Sequence, residues 1–227
     1  MYLQLRDYHM ANEILYVLDA AKRRGSGITS KLSLQKMLFL SGALSPIKEI
    51  ILTFMKYITY YRGPYSKDIQ NTIDHLVAAG LVDLASYSHS PNGKELYANY
   101  IITTGGLEAI DSLCRYPCEE EKRWWISIIC KLSQIYIRSE DLSGTEDERI
   151  MMLVYQEPSY KTLRLENKQK YTIDLEITRK LISFLKAYTK TGSVGTTNQM
   201  LRGDAEKILI TFFEYLYLNY VNEHCHG

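Results

Sequence analysis

The sequence predicts a mostly helical α+β protein. Through most of the 227 residues, apolar side chains recur at intervals of three and four, which is the spacing of amphipathic helices. Short runs of tyrosine and β-branched residues interrupt that pattern and predict strands. Apolar residues make up 46% of the chain and charged residues 23%, so a disordered or low-complexity polymer is excluded.

Three helices are predicted before the first strand. The first covers about residues 14–21 and ends at basic residues followed by Gly25, both of which favour a helix C-terminus. The second is predicted to be capped by Ser33. The third is predicted from Ser45, with Pro46 as its first helical residue. Its inward side chains are predicted to be Ile47, Ile50, Ile51 and Phe54.

A short strand and a regular helix follow. Residues 57–61 are aromatic or β-branched and predict a strand, which ends before Gly63 and Pro64. The helix is predicted to be capped by Ser66 and to end at Gly80. Its apolar stripe consists of Ile69, Ile73, Leu76 and Val77.

The next segment predicts a hairpin with a long tip. Residues 82–87 and 97–103 are strand-like, and turn residues lie between them at 91–93. A further helix is predicted to start at about residue 104. The order helix, helix, helix, strand, helix, hairpin, helix is typical of a winged helix-turn-helix, which we assign to residues 1–115.

Past Pro117 the composition changes, and a helical C-terminal domain is predicted over residues 116–227. An acidic first turn there precedes an amphipathic helix. Thr145 and Glu148 have the spacing of a capping box at the start of another helix. The stretch around Pro158 predicts an irregular connection.

Two longer helices are predicted near the C-terminus, at about 175–188 and 205–220. The second is rich in aromatic residues, namely Phe212, Phe213, Tyr215, Tyr217 and Tyr220. Because rigid amphipathic rings suit interfaces, a homodimer through Ala205 to Tyr220 is one interpretation. The other interpretation is that this helix belongs to the core of the C-terminal domain. The predicted role of that domain is self-association or partner binding.

Two segments of the first half resemble a known family. LSLQKMLFL contains a Leu-Gln-Lys-aliphatic motif, and YYRGPYSKDIQNTIDHLVAAGLV contains a Gly-Pro-Tyr-Ser turn. With these motifs the chain resembles the winged-helix proteins grouped as YwgA-like and as SocA-like Panacea antitoxins. Residues 33–40, 63–66 and the run ending at Gly80 and Leu81 fit the pattern, and 154–160 fits it loosely. The resemblance implies a winged-helix fold and a role in toxin control, phage defence or transcription.

A DNA-binding surface is predicted on the helix after Ser66. In a winged helix-turn-helix this helix lies in the major groove, where Asn and Gln side chains pair with adenine. Side chains near the helix ends and on the wing contact phosphates. The predicted DNA-binding residues are Lys36, Arg62, Ser66, Lys67, Gln70, Asn71, His75 and Lys94.

The charge balance supports an alternative. The 27 Lys and Arg against 26 Asp and Glu give a net charge of +1, which excludes a purely electrostatic DNA binder. The predicted recognition helix carries Lys67 but also the acidic residues Asp68 and Asp74. Because these carboxylates offset its positive charge, its polar face fits a protein partner equally well. The leading hypothesis is a transcriptional regulator that binds double-stranded DNA. The alternative is an antitoxin-like or phage-defence adaptor that holds another protein.

Neither catalysis nor a cofactor is expected. The sequence lacks the common phosphate-binding, dinucleotide-binding, nucleophile-elbow and zinc-protease motifs. Its four cysteines are too few for a disulfide scaffold. Cys114, Cys118, His224, Cys225 and His226 are of the residue types that bind zinc. Their spacing matches no known zinc finger, so we predict no metal.

The N-terminal sequence MYLQLRDYHMANE lacks the basic and apolar regions of a secretion signal. No apolar run reaches the roughly 18 residues of a membrane span. We therefore expect a cytoplasmic protein with no membrane association and reduced cysteines.

Overall fold

The computed structural model describes residues 5–25, 27–52, 56–89, 96–138, 144–190 and 201–224. The helices are α1 (Leu5–Arg23), α2 (Lys31–Leu44), α3 (Lys67–Ala78), α4 (Thr104–Leu113), α5 (Pro117–Ile137), α6 (Glu146–Tyr155), α7 (Pro158–Leu165), α8 (Glu176–Lys190) and α9 (Arg202–His224). The strands are β1 (Thr29–Ser30), β2 (Val82–His89) and β3 (Leu96–Ile102). This mostly helical architecture with one small sheet confirms the predicted α+β class.

The three strands form an antiparallel sheet in the order β1-β3-β2. β1 pairs with one edge of β3, and β2 pairs with the other edge from Val82 opposite Ile102 to His89 opposite Leu96. After its first residue β2 is exposed on both faces, so the hairpin presents this strand to solvent. β3 buries alternate side chains, as expected for a strand with one face on a core. They are Ala98, Tyr100 and Ile102.

One hydrophobic core crosses the predicted boundary between residues 115 and 116. α2 is buried along almost its whole length because it packs against α1, α5, α6 and α8. Trp125 of α5 has no exposed surface, and its indole Nε1 donates to the Ser41 carbonyl of α2 at 3.0 Å. The C-terminal helices therefore complete the core around α2.

Two elements predicted between α2 and α3 differ in the structure. The third helix is only a single 3-10 turn, Ser45–Ile47, because Glu49 adopts a left-handed backbone with φ of 60°. Its predicted residue Phe54 lies outside the described residues. In the predicted strand 57–61, only Ile58 forms β-bridges, one to Tyr65 and one to Thr172. Neither partner continues as a strand, so no ladder forms.

The helix starts confirm one prediction and correct two others. The capping box of Thr145 and Glu148 forms as predicted at the start of α6. The cap of α2 is Ser30 rather than Ser33, because the Ser30 side chain accepts the Ser33 N–H at 2.9 Å. The stretch predicted as irregular around Pro158 is the helix α7, with that proline in its first turn.

The long helix predicted at 205–220 is present as α9. Its inner side belongs to the core of the chain, and Phe212 and Phe213 have no exposed surface. This agrees with the core interpretation of these two rings. An interface through α9 would have to use outer residues such as Ile210 and Leu218, which are 41% and 55% exposed.

Candidate nucleic-acid interface

Four of the eight predicted DNA-binding residues lie on α3. α3 is held on the core by Ile69, Ile73 and Leu76, all buried. Lys67, Asn71 and His75 point to solvent on the opposite side. The 3.6-residue period of the sequence is sufficient to separate these two faces.

Gln70 also lies on this side of α3 but is half-buried and already bonded. Its Nε2 donates to Asp74 Oδ1 at 2.8 Å and to the Tyr100 hydroxyl of β3 at 3.4 Å. A ligand reaching Gln70 would have to displace the bond to Asp74. The face therefore offers three exposed side chains with donor groups, Lys67, Asn71 and His75, beside the carboxylate of Asp74.

Lys36 and Ser66 require correction as predicted DNA contacts, because both are buried. Lys36 is 3% exposed, and its Nζ donates to the Pro64 carbonyl at 2.7 Å. Burial, together with the nearby Arg62 guanidinium, lowers the pKa of Lys36 to about 7. Ser66 is 2% exposed and its side chain makes no cap hydrogen bond, although it occupies the predicted N-cap position of α3.

The backbone of Ser66 is fixed by Gln35, a residue for which the sequence predicts no DNA contact. The Ser66 N–H donates to Gln35 Oε1 at 3.0 Å, and Gln35 Nε2 donates back to the Ser66 carbonyl at 2.9 Å. Gln35 is itself buried, so these bonds are shielded from water. This paired contact sets where α3 begins.

The Gln35-Lys36 pair and the Gly63–Ser66 turn therefore form one unit. Gly63 has a φ of 89°, and a side-chain carbon placed there would lie 2.9 Å from Lys36 Cε. Only glycine combines this backbone with so close an approach. The two sequence motifs that carry the family resemblance thus meet in space, which their separation along the chain does not reveal.

Arg62 and Lys94 complete the set of predicted residues. Arg62 is half-buried, and its guanidinium carbon lies 5.5 Å from the centre of the Tyr97 ring on β3. It therefore lies between the turn and the hairpin, beside the strand expected to approach the DNA backbone. Lys94 lies outside the described residues.

Buried carboxylates elsewhere have partners that explain them. Glu119 accepts hydrogen bonds from Lys122 and from the Tyr16 hydroxyl, both at 2.8 Å. Burial opposes its ionisation, but these bonds outweigh burial and hold its pKa below the usual value. Glu157 caps α7 by accepting the Tyr160 N–H at 2.7 Å, and burial raises its pKa. Glu119 thereby joins α1 to α5, and Glu157 also accepts a hydrogen bond from the Thr178 hydroxyl of α8.

Within the described ranges, no group of three or more His, Cys, Asp and Glu side chains is placed to hold a metal ion. Cys114 and Cys118 are free thiols there, whereas Cys225 and His226 of the possible zinc set lie outside those ranges. None of the helices in the described part of the chain is long and apolar enough to cross a membrane.

No protein-family model matches the chain, and no curated protein matches its sequence. A function for this chain therefore rests on the geometry of α3, the hairpin and the turn between them.

Proposed function

We propose that the chain is a non-enzymatic winged-helix protein that binds double-stranded DNA through α3 and the β2–β3 hairpin and regulates transcription. The element order α1-β1-α2-α3-β2-β3, with β1 and β2 on either side of β3, supports the winged-helix assignment. The observation that carries the DNA proposal is the exposed polar face of α3 beside this hairpin.

In this proposal α3 enters the major groove and the hairpin is the wing. Asn71 pairs with an adenine edge, and Lys67 and His75 contact neighbouring bases or phosphates. Arg62 contacts the backbone beside the wing. A bidentate base contact contributes about 1–3 kcal/mol, so losing Asn71 and Lys67 together is expected to weaken binding by at least about tenfold.

The second candidate function is the capture of a partner protein by the same face. It is favoured by the carboxylates of Asp68 and Asp74, which reduce the positive charge that phosphates require. The burial of Lys36 removes a further cation from the surface. An adaptor of this kind is expected to show no salt-dependent affinity for DNA.

Fluorescence anisotropy of labelled duplexes tests the DNA proposal. The chain is titrated with a duplex from its own promoter and with an unrelated duplex, at about 50 and 200 mM salt. With three phosphate contacts, the affinity is expected to fall roughly 40-fold across this fourfold change in salt. Tighter binding of the promoter duplex supports a regulator.

The Lys67→Ala/Asn71→Ala double variant identifies the surface. Lys131→Ala is the matched control, because Lys131 is an exposed lysine on α5. We expect the double variant to lose at least about tenfold in affinity and the control to bind like the wild type. Absence of binding by the wild type to either duplex at the lower salt contradicts the DNA proposal and favours the partner-protein function.

A further inference from the structure

A cavity of ≈ 390 Å³ lies behind the turn that leads into α3. Its walls are the first turns of α2, the segment from Ile58 to Tyr65, and β3. This volume is within the usual range for small-molecule sites. The DNA proposal uses the outer face of α3, the hairpin and Arg62, and it gives no role to the rest of this cavity.

Three basic side chains line the cavity, namely Lys31, Lys36 and Arg62. Within the described part of the chain, none of them forms an ion pair with a carboxylate. Lys36 is the most buried of the three, and its Nζ makes one hydrogen bond there, to the Pro64 carbonyl. Basic groups without a paired carboxylate in a half-enclosed space favour an anionic occupant, which would also favour the charged form of Lys36.

The one carboxylate among the lining residues, Asp147, forms no ion pair with these three basic groups. Asp147 accepts hydrogen bonds from the hydroxyls of Ser30 and Ser33 through the same oxygen, Oδ1. It thereby ties α6 to the start of α2. The cavity keeps an excess of positive charge over this single acid.

Tyrosine rings form the rest of the wall. The Tyr60 and Tyr65 rings lie 5.4 Å apart between centroids, and the Tyr97 ring lies under the Arg62 guanidinium. Tyr60 and Tyr97 are 41% and 42% exposed, so part of each ring remains available for contact. Aromatic and guanidinium planes are the surfaces on which a planar ring stacks.

We propose that this cavity binds an anionic small molecule with a planar ring, with the chemistry of a nucleoside monophosphate. Arg62 and Lys31 hold the phosphate, since an arginine fork donates two parallel hydrogen bonds to its oxygens. The base stacks against the tyrosine rings. The occupant would contact Gly63 and Tyr65 and so touch the turn that sets the start of α3. The proposal does not require that the chain binds DNA.

Isothermal titration calorimetry of the full chain tests this site. The probes are AMP, GMP, CMP and UMP, with inorganic phosphate and adenosine as separate ligands. We expect saturable binding of at least one nucleotide with a Kd below about 1 mM, tighter than that of phosphate or adenosine alone. No binding of any of the four nucleotides at several millimolar would overturn the proposal. Equal affinity for phosphate alone would overturn the stacking role of the tyrosines.

Arg62→Gln is the site variant, and Arg115→Gln, at an exposed arginine after α4, is the matched control. The site variant is expected to weaken nucleotide binding by at least about tenfold, while the control binds like the wild type. Circular dichroism and the unfolding midpoint establish that each variant is folded. If Arg62→Gln proves unstable, Lys31→Gln replaces it with the same expected loss. Wild-type affinity in a folded site variant contradicts the assignment.

Discussion

Replacement of Gly63 by alanine is expected to destabilise the protein through a contact that is invisible in the sequence. With a φ of 89°, an alanine there adopts a left-handed backbone. Its Cβ would also lie 2.9 Å from Lys36 Cε and 3.1 Å from Lys36 Nζ. Lys36 is buried and bonded to the Pro64 carbonyl, so it has little freedom to move aside.

The magnitude follows from these two effects. A left-handed backbone costs a residue with a Cβ about 1–2 kcal/mol. Displacing Lys36 from the Pro64 carbonyl leaves a buried acceptor unsatisfied, which costs about 1–3 kcal/mol more. The Gly63→Ala variant is therefore expected to lose about 2–5 kcal/mol of unfolding free energy.

Gly80→Ala is the matched control. Gly80 has a φ of 71°, but no heavy atom lies within 4 Å of the position its Cβ would take. This variant should therefore lose only the backbone contribution of about 1–2 kcal/mol. Both are measured by guanidinium denaturation followed through tryptophan fluorescence, to which the fully buried Trp125 and its neighbour Trp124 contribute. If the two variants lose the same free energy within about 0.5 kcal/mol, the packing of Gly63 on Lys36 does not contribute as argued.

Two further predictions concern buried polar groups. Between about pH 7 and 10, the unfolding free energy of the wild type should rise relative to Lys36→Met, by at most about 1.4 kcal/mol per pH unit. The sign follows because burial lowers the folded pKa of Lys36 to about 7 from 10.5, so the unfolded chain binds more protons in that window. Denaturation at several pH values checks this, and parallel curves contradict it. Trp125→Phe should cost about 2–4 kcal/mol, because it leaves a cavity and an unsatisfied Ser41 carbonyl. Thermal unfolding measures this loss, and a Tm within about 2 °C of the wild type contradicts it.

The sequence correctly predicts those helix faces and caps that depend on residues close together in the chain. The stripe of Ile69, Ile73 and Leu76 correctly separates the buried and exposed sides of α3. The capping box of Thr145 and Glu148 correctly starts α6. Both depend on residues three or four positions apart, which interact within one turn of a helix whatever the rest of the chain does.

Burial of polar residues depended instead on elements far away in sequence. The sequence predicts Lys36 as a contact to the DNA backbone, but the approach of Pro64 gives its Nζ a buried acceptor. Ser66 was predicted as a side-chain cap, but Gln35 takes its backbone and leaves the hydroxyl buried. Neither long-range contact has a signature in local spacing.

By itself the sequence determined the α+β class, the position of most helices and the polar face of α3, because hydrophobic period and turn chemistry act over a few residues. Only the tertiary structure decided that one core joins both predicted domains around α2. It also decided that Ile58 alone among residues 57–61 forms β-bridges, and that three basic side chains meet in one cavity. Such features arise when distant segments pack, since burial and charge proximity are properties of the folded chain.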